Sequence, residues 1–357
     1  EPWGASIEFL EESDAELVQA AARVLVGWPD ARVHELFLEA LERGSGPLHL
    51  AGEHFERLRT ELPPAVLDRL ETHVARLYLA EDWRAAARAR PLARALETVR
   101  AAPILIEALA LWDRRTRAGT GSKRIRHEIV AELQRRSGRA LAADPVRWSE
   151  WWQGVREGRV LLPEQVSAGG GQPSSATFFG LRAESDRVLF VVDRSGSMRQ
   201  GFGTGGRTRH EEAIEQLLTF LRQSGEETRF TVALFSDEGV AWRSRLASAS
   251  EANLDSARRW LEGKAPEGET LLYEGVRAGL GLDARGRLNL ERCEVDTVIV
   301  LCDGATTEGP AWVAGWLAQE NERAQLVFHC VQIGTEGNGT LEALARGSGG
   351  EFVRVQG

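Results

Sequence analysis

The 357-residue sequence is short of cysteine, of long apolar runs, of basic charge and of the common glycine-rich phosphate signatures. Each shortage excludes something. The three cysteines, Cys293, Cys302 and Cys330, sit at spacings that fit neither a zinc site nor a dense disulfide framework, so structural thiols in or beside core strands are expected. An odd count leaves at least one thiol free, a mild argument against a strongly oxidising compartment. No apolar stretch approaches the ~20 residues that span a bilayer, which excludes a membrane-spanning helix. The formal charge is −9, with 24 basic against 26 acidic residues in Glu1–Gly180 and 20 against 27 in Leu181–Gly357. A general nucleic-acid binder has the opposite balance. Neither G-x-G-x-x-G at the first strand-to-helix turn nor G-x-x-x-x-G-K-[ST] anywhere is found, so the usual nucleotide cradles are missing.

What is present is ordinary for folded chains: 43% hydrophobic and 27% charged residues, at a length that calls for two cores. The chain starts Glu1-Pro2-Trp3 rather than with Met. A mature product after loss of a targeting segment and an excised fragment both fit that start, so the compartment stays open between cytoplasm and export.

The amino-terminal half reads as helix after helix. Asp14–Val26 places Leu17, Ala20, Ala21 and Val24 on one face behind the cap candidate Ser13. Periodic segments follow at Val33–Leu41, Ala65–Tyr78, Leu92–Arg100, Ile104–Thr116, Arg124–Arg136 and Val146–Glu157. Each has one stripe to bury, and stacking antiparallel helices buries it. Asp144-Pro145 fits a helix start, with a capping carboxylate and a proline preformed for the first turn. Trp148, Trp151 and Trp152 then share a face, for which core packing is the default. A basic group, Arg114, Arg115, Arg117, Lys123, Arg124 and Arg126, flanks the turn Gly119–Ser122. A solvated helix end is favoured over a phosphate or acidic-partner patch.

Gln165–Thr177, with Gly169-Gly170-Gly171 and Pro173-Ser174-Ser175, has the composition of a linker. Residues 1–160 are thus expected as an all-α module, 161–186 as linker and 187–357 as a second domain. Phe178-Phe179-Gly180-Leu181 is expected to tether against a sheet.

Beyond it, strands alternate with helices: Val188–Val192, Arg229–Phe235, Val295–Leu301, Leu326–Ile333 and Phe352–Val355 as strands, Glu211–Gln223, Ala252–Glu262, Leu271–Leu280, Ala311–Ala324 and Leu341–Arg346 as helices. That alternation predicts a doubly wound, mainly parallel, Rossmann-like sheet, so the whole chain is α followed by α/β. Gly201, Gly203, Gly205 and Gly206 predict a flexible loop beside the strand ends.

The carboxyl ends of strands in such a sheet are where ligands bind. There stand Asp193, Ser195 and Ser197, with Thr270 and Asp303 on two later loops. All five carry oxygen and none nitrogen or sulfur, an inventory for a hard cation, most simply Mg²⁺, with Mn²⁺ or Ca²⁺ as substitutes. Neutral hydroxyls leave such an ion electron-poor, and an Asp or Glu of a protein partner is the anion to complete it. Hydrolysis would need a general base or a second metal besides. No catalytic residue is assigned.

The D-x-S-x-S run with its distant Thr and Asp resembles the metal-ion-dependent adhesion site (MIDAS) of von Willebrand factor type A domains, over about Arg187 to Val355. The resemblance implies direct ligation by Ser195, Ser197 and Thr270, with Asp193 and Asp303 partly acting through water. It implies a non-enzymatic scaffold or adaptor. The stretch from Glu128–Leu133 through Asp144–Trp152 is similar to the closing helices of bacterial HEAT-type repeat modules. The order of a helical module and an A domain is also similar to the Ro family of RNA-binding proteins, which makes a ribonucleoprotein component the alternative function. The helical half is shorter than in that family and lacks a strong basic surplus, so RNA is the disfavoured partner.

Overall fold

A computed structural model describes residues 15–44, 48–163, 177–181 and 184–356. Glu1-Pro2-Trp3, Ser13 and the glycine and proline run of the expected linker lie outside them. The chain divides into two compact units, Glu1–Gln172 and Pro173–Gly357.

The first unit is helical: α1 (Ala15–Leu25), α2 (Ala31–Arg43), α3 (Leu48–Arg57), α4 (Pro64–Leu79), α5 (Trp83–Ala95), α6 (Thr98–Arg117), α7 (Lys123–Ser137) and α8 (Pro145–Arg156). Short polar side chains start several of them by accepting otherwise orphaned N–H groups. Asp30 accepts from Arg32 N at 2.8 Å, Asp82 from Arg84 N at 3.0 Å, and Asp144 from Val146 N at 3.0 Å. Trp148 and Trp151 are buried edge to face at 5.6 Å with Trp152 half-buried, so the tryptophan stripe packs the core.

Two helices were not legible as such, and one expected segment is wrong. Leu92–Arg100 is not one helix: α5 ends at Ala95, and α6 begins at Thr98. The apolar face of α5 is mostly alanine, with Ala85, Ala86, Ala87, Ala89 and Ala93 buried, and Pro91 lies inside it. Small side chains give little contrast between faces, so the period was hidden. In α3, Gly52 sits where a Cβ would lie 2.8 Å from Pro91, which brings the two unforeseen helices into close contact.

The second unit opens with Phe178, bridged to Leu181 and buried 5.7 Å from the ring of Phe190, so the expected tether against the sheet is present. Strands β1 (Arg187–Asp193), β4 (Arg229–Phe235), β7 (Thr297–Cys302), β8 (Val327–Ile333) and β9 (Phe352–Val355) are mutually parallel in the order β4-β1-β7-β8-β9. The near-continuous apolar runs of β1, β4, β7 and β8 are those of strands covered on both faces, whereas the edge strand β9 is only half-buried. Two short antiparallel strands, β5 (Gly239–Ala241) and β6 (Ala247–Ser248), pair with β4 at the edge. Helices α9 (Arg209–Ser224), α10 (Glu251–Glu262), α11 (Leu272–Leu280), α12 (Ala311–Trp316), α13 (Glu322–Ala324) and α14 (Thr340–Ser348) complete the doubly wound layer. The expected helix Ala311–Ala324 is interrupted by a π-helical turn at Leu317–Asn321.

The glycine-rich stretch is also a correction. It is a hairpin in which β2 (Gly201–Phe202) pairs with β3 (Arg207–Thr208), its turn carried by Gly203 and Gly206 at positive φ. Helix α9 follows at once, locked by a reciprocal cap between Thr208 and Glu211.

Candidate metal centre

Strand β1 lies between β4 and β7. The chain leaves β1 to form β4 on one side and later returns to form β7 on the other, so a crevice opens where the connections diverge. Asp193 ends β1, and Asp303 directly follows β7. Topology therefore sets the two carboxylates side by side.

Their contacts interlock. Asp193 is fully buried; its Oδ1 accepts from Ser195 N at 2.6 Å, and its Oδ2 from the Cys302 thiol at 3.2 Å and from Asp303 N at 3.4 Å. Ser195 Oγ lies 3.0 Å from Ser197 Oγ, and Ser197 Oγ donates to Asp303 Oδ1 at 2.8 Å. Four of the five expected residues thus form one network, with the side chains of Ser195, Ser197 and Asp303 in sequence and Asp193 joined to it through the backbone N–H groups of Ser195 and Asp303.

The loop of Thr270 is fastened to both neighbours. Gly196 N donates to Gly268 O at 3.1 Å, Glu267 N to Arg194 O at 2.7 Å, and Thr307 N to Thr270 O at 2.9 Å. Gly268 has φ +78°, and a Cβ there would fall 2.4 Å from Asp237 Oδ2, so only glycine turns this loop against the D-x-S-x-S segment. Helix α11, which follows Thr270, lies close on β1 and β4: Cβ atoms at Gly275 and Gly279 would meet Phe235 and Leu189 at 2.8 and 2.9 Å. Thr270 itself is half-buried.

Electrostatically the cluster is short of positive charge. Burial first, and the charge of Asp303 second, push the Asp193 carboxyl up from 3.8 to about 6. The Cys302 thiol is driven well above its ordinary range by burial and by Asp193, so it stays a thiol and donates. The donor chemistry fits a hard cation: carboxylates and hydroxyls with no soft or nitrogenous side chain in the expected set. Among the described residues, no group of three or more His, Cys, Asp or Glu side chains forms a metal site of another type.

One member was missed from the sequence. Arg209, the first residue of α9, donates from Nη1 to Asp303 Oδ2 at 2.8 Å. A signal existed: a cation at a helix N-terminus opposes the macrodipole and calls for a local reason. The Cys302 thiol, classed as structural, also touches the site.

The amino-terminal basic group is engaged within the helical unit. Arg115 donates to Ala80 O at 2.5 Å and lies over Trp112, Arg117 and Arg126 pair with Asp113 at 2.9 and 3.3 Å, and Arg124 pairs with Glu128 at 2.9 Å. Arg114 is exposed.

Residues 188–305 match the family model of the von Willebrand factor type A domain. The chain is 26% identical over 217 residues to inter-alpha-trypsin inhibitor heavy chain H4 of Homo sapiens, covering 57% of this chain and 21% of that protein. It is 31% identical over 132 residues to heavy chain H3 of Homo sapiens, covering 36% and 14%. The chain thus spans about a fifth or less of the length of these relatives. Among solved structures, a von Willebrand factor type A protein from Catenulispora acidiphila aligns over 47% of this chain and 38% of its own at 16% identity and a TM-score of 0.37. Proximal thread matrix protein 1 from the mussel byssus, with a zinc-occupied MIDAS motif, aligns over 47% and 40% at 20% identity and a TM-score of 0.35.

Proposed function

We propose that the von Willebrand factor type A domain carried by the second unit is a metal-dependent protein-docking module, and that this chain acts as a non-enzymatic scaffold or adaptor. Ser195, Ser197 and Thr270 would hold Mg²⁺ directly, while Asp193 and Asp303 orient the hydroxyls and contribute through water. Bound there, the ion would supply an electrophilic contact for an Asp or Glu of a partner protein. The observation that carries this reading is the pair of adjacent carboxylates, one fully buried with its proton affinity raised, at the crevice of the sheet. A divalent cation relieves that repulsion, and hydroxyl ligands leave it able to take another oxygen anion.

The residues around the ion serve binding better than turnover. A hydrolase would need a base positioned on a metal-bound water. Asp193 is instead held by a backbone N–H and a thiol, and Asp303 by Ser197 and Arg209. The helical unit would supply a second contact surface, so each contact can be weak while the pair is effective. A relative's name, inter-alpha-trypsin inhibitor heavy chain, describes one chain of a larger inhibitor and is in keeping with a role in assemblies.

Affinity capture tests the proposal by comparing wild type in Mg²⁺, wild type in EDTA and Asp193→Ala in Mg²⁺. A protein retained in the first condition and lost in the other two supports it. Equal retention in all three, or recovery mainly of RNA, overturns it.

A further inference from the structure

Arg209 is placed where a cation is least comfortable. It opens α9, at the positive end of the helix dipole, and its Nε is buried without a hydrogen-bond partner. Its side chain is 18% exposed, and its partner Asp303 only 1%, so the pair is nearly dry. The approach is fixed by the backbone: Arg209 N donates to Gln200 O at 2.9 Å, and the Thr208–Glu211 cap sets the start of the helix. Asp303 does not depend on Arg209 for its position: its other oxygen accepts from Ser197, and its backbone follows β7.

Resting on the metal-docking reading, we propose that Arg209 couples cation loading to anion docking, weakening the metal alone and strengthening the carboxylate that follows it. The charge count gives the reason. Asp193 and Asp303 with Arg209 leave one negative charge, so a divalent cation brings the cluster to one net positive charge. With a neutral residue at 209 the loaded cluster would be neutral. Arg209 therefore repels the incoming cation through its fixed contact with Asp303 and leaves the loaded site in need of an anion. By linkage, a carboxylate that binds the loaded site must tighten the metal by the same factor by which the metal tightens the carboxylate. The ligand class is an oxygen anion able to reach the ion, as an Asp or Glu side chain is.

Calorimetric titration of the full chain with Mn²⁺, alone and with saturating acetate, tests this. The proteins are wild type, Arg209→Gln, Arg209→Met, Arg209→Lys and Asp193→Ala, each checked for its fold by circular dichroism. Both neutral variants are expected to bind Mn²⁺ alone about tenfold more tightly than wild type and to lose most of the enhancement by acetate. Arg209→Lys, which keeps the charge, should stay near wild type. A gain of binding by the neutral variants over an undetectable wild type also supports the proposal. If wild type binds, Asp193→Ala does not, and the neutral variants bind no more tightly than wild type, the metal reading stands and the coupling is wrong. If all proteins behave as Asp193→Ala does, the metal reading falls and takes the coupling with it.

Discussion

Each unit buries a carboxylate, and the two are treated in opposite ways. Glu132 in α7 is 3% exposed; burial alone would raise its pKa, but Arg135 and Arg136 outweigh that and hold it below the ordinary range. Arg136 Nε donates to Glu132 at 2.6 Å, and its other nitrogens donate to Leu96 O at 2.9 Å and Ala93 O at 2.6 Å, satisfying carbonyls at the end of α5. That charge is answered entirely from within and ties α7 to α5. Asp193, equally buried, meets a backbone N–H, a thiol and another carboxylate, and its pKa rises. A carboxylate kept for structure is given its counter-ion by the chain. On the proposed reading, Asp193 is left short of positive charge for an external cation to supply.

The comparison breaks most severely through Glu132→Ala. Removing one member of a buried ion pair leaves the other charged and unpaired, at a cost of about 3–5 kcal/mol. Arg136 would be that residue, with a side chain only 2% exposed. Urea unfolding followed by circular dichroism should show the helical transition moved to much lower denaturant. Asp193→Asn is the matched experiment. It removes a repelling charge but turns an amide NH2 toward donors that the carboxylate accepted, so the metal-free protein is expected to lose about 1–3 kcal/mol, less than Glu132→Ala loses. Similar losses in the two variants would erase the distinction drawn between the sites.

Acid sharpens the contrast next. His54 and His73 are buried, and burial first, with His34 and Arg76 respectively adding repulsion, pushes each from 6.5 to about 4. His54 Nδ1 accepts from Gly27 N at 3.1 Å and its Nε2 faces His34 Nδ1 at 2.9 Å, an arrangement made for neutral rings. The unfolded chain takes up these protons near pH 6.5 and the folded one only near 4. Their stabilisation is therefore present above pH 6.5 and lost as the pH falls to about 4, by up to about 3 kcal/mol for each ring. Denaturation midpoints of the helical unit measured across that window should fall with pH. A flat profile would mean that the folded rings take up protons at the same pH as the unfolded chain.

Most of the architecture was legible because its signals are local. The strands are short, mostly apolar runs, and the D-x-S-x-S segment follows one of them directly. Asp144-Pro145 marked the start of α8 because a cap and a preformed φ act within one turn. What escaped depends on distant partners or on weak contrast. Arg209 earns its place only through Asp303, 94 residues away. The faces of α5 differ by alanine against arginine, and β5 and β6 are too short to carry an alternating pattern. The hairpin at Gly201–Thr208 was hidden by its own glycines, which signal a turn without saying what flanks it.

A smaller effect separates the two carboxylates by ligand. Mg²⁺ at a hundredfold excess over its dissociation constant should stabilise the second unit by about 2.7 kcal/mol, visible as a rise in Tm. Asp193→Asn should abolish the rise, and the helical transition should not move in either protein. A helical unit that shifts with Mg²⁺ would place a cation site where its charges are already matched.

The smallest expected change tests whether the neighbours of Asp193 are part of the site or only its packing. Cys302→Ala deletes the thiol that donates to Asp193 Oδ2 at 3.2 Å without changing charge. A weak donor of that kind contributes about 1 kcal/mol or less. If the thiol aims the carboxylate, the loss appears as a several-fold weaker Mg²⁺ affinity, and Cys302→Ser, which restores a donor, recovers most of it. If the thiol only fills space, both variants lower Tm slightly and leave the affinity alone.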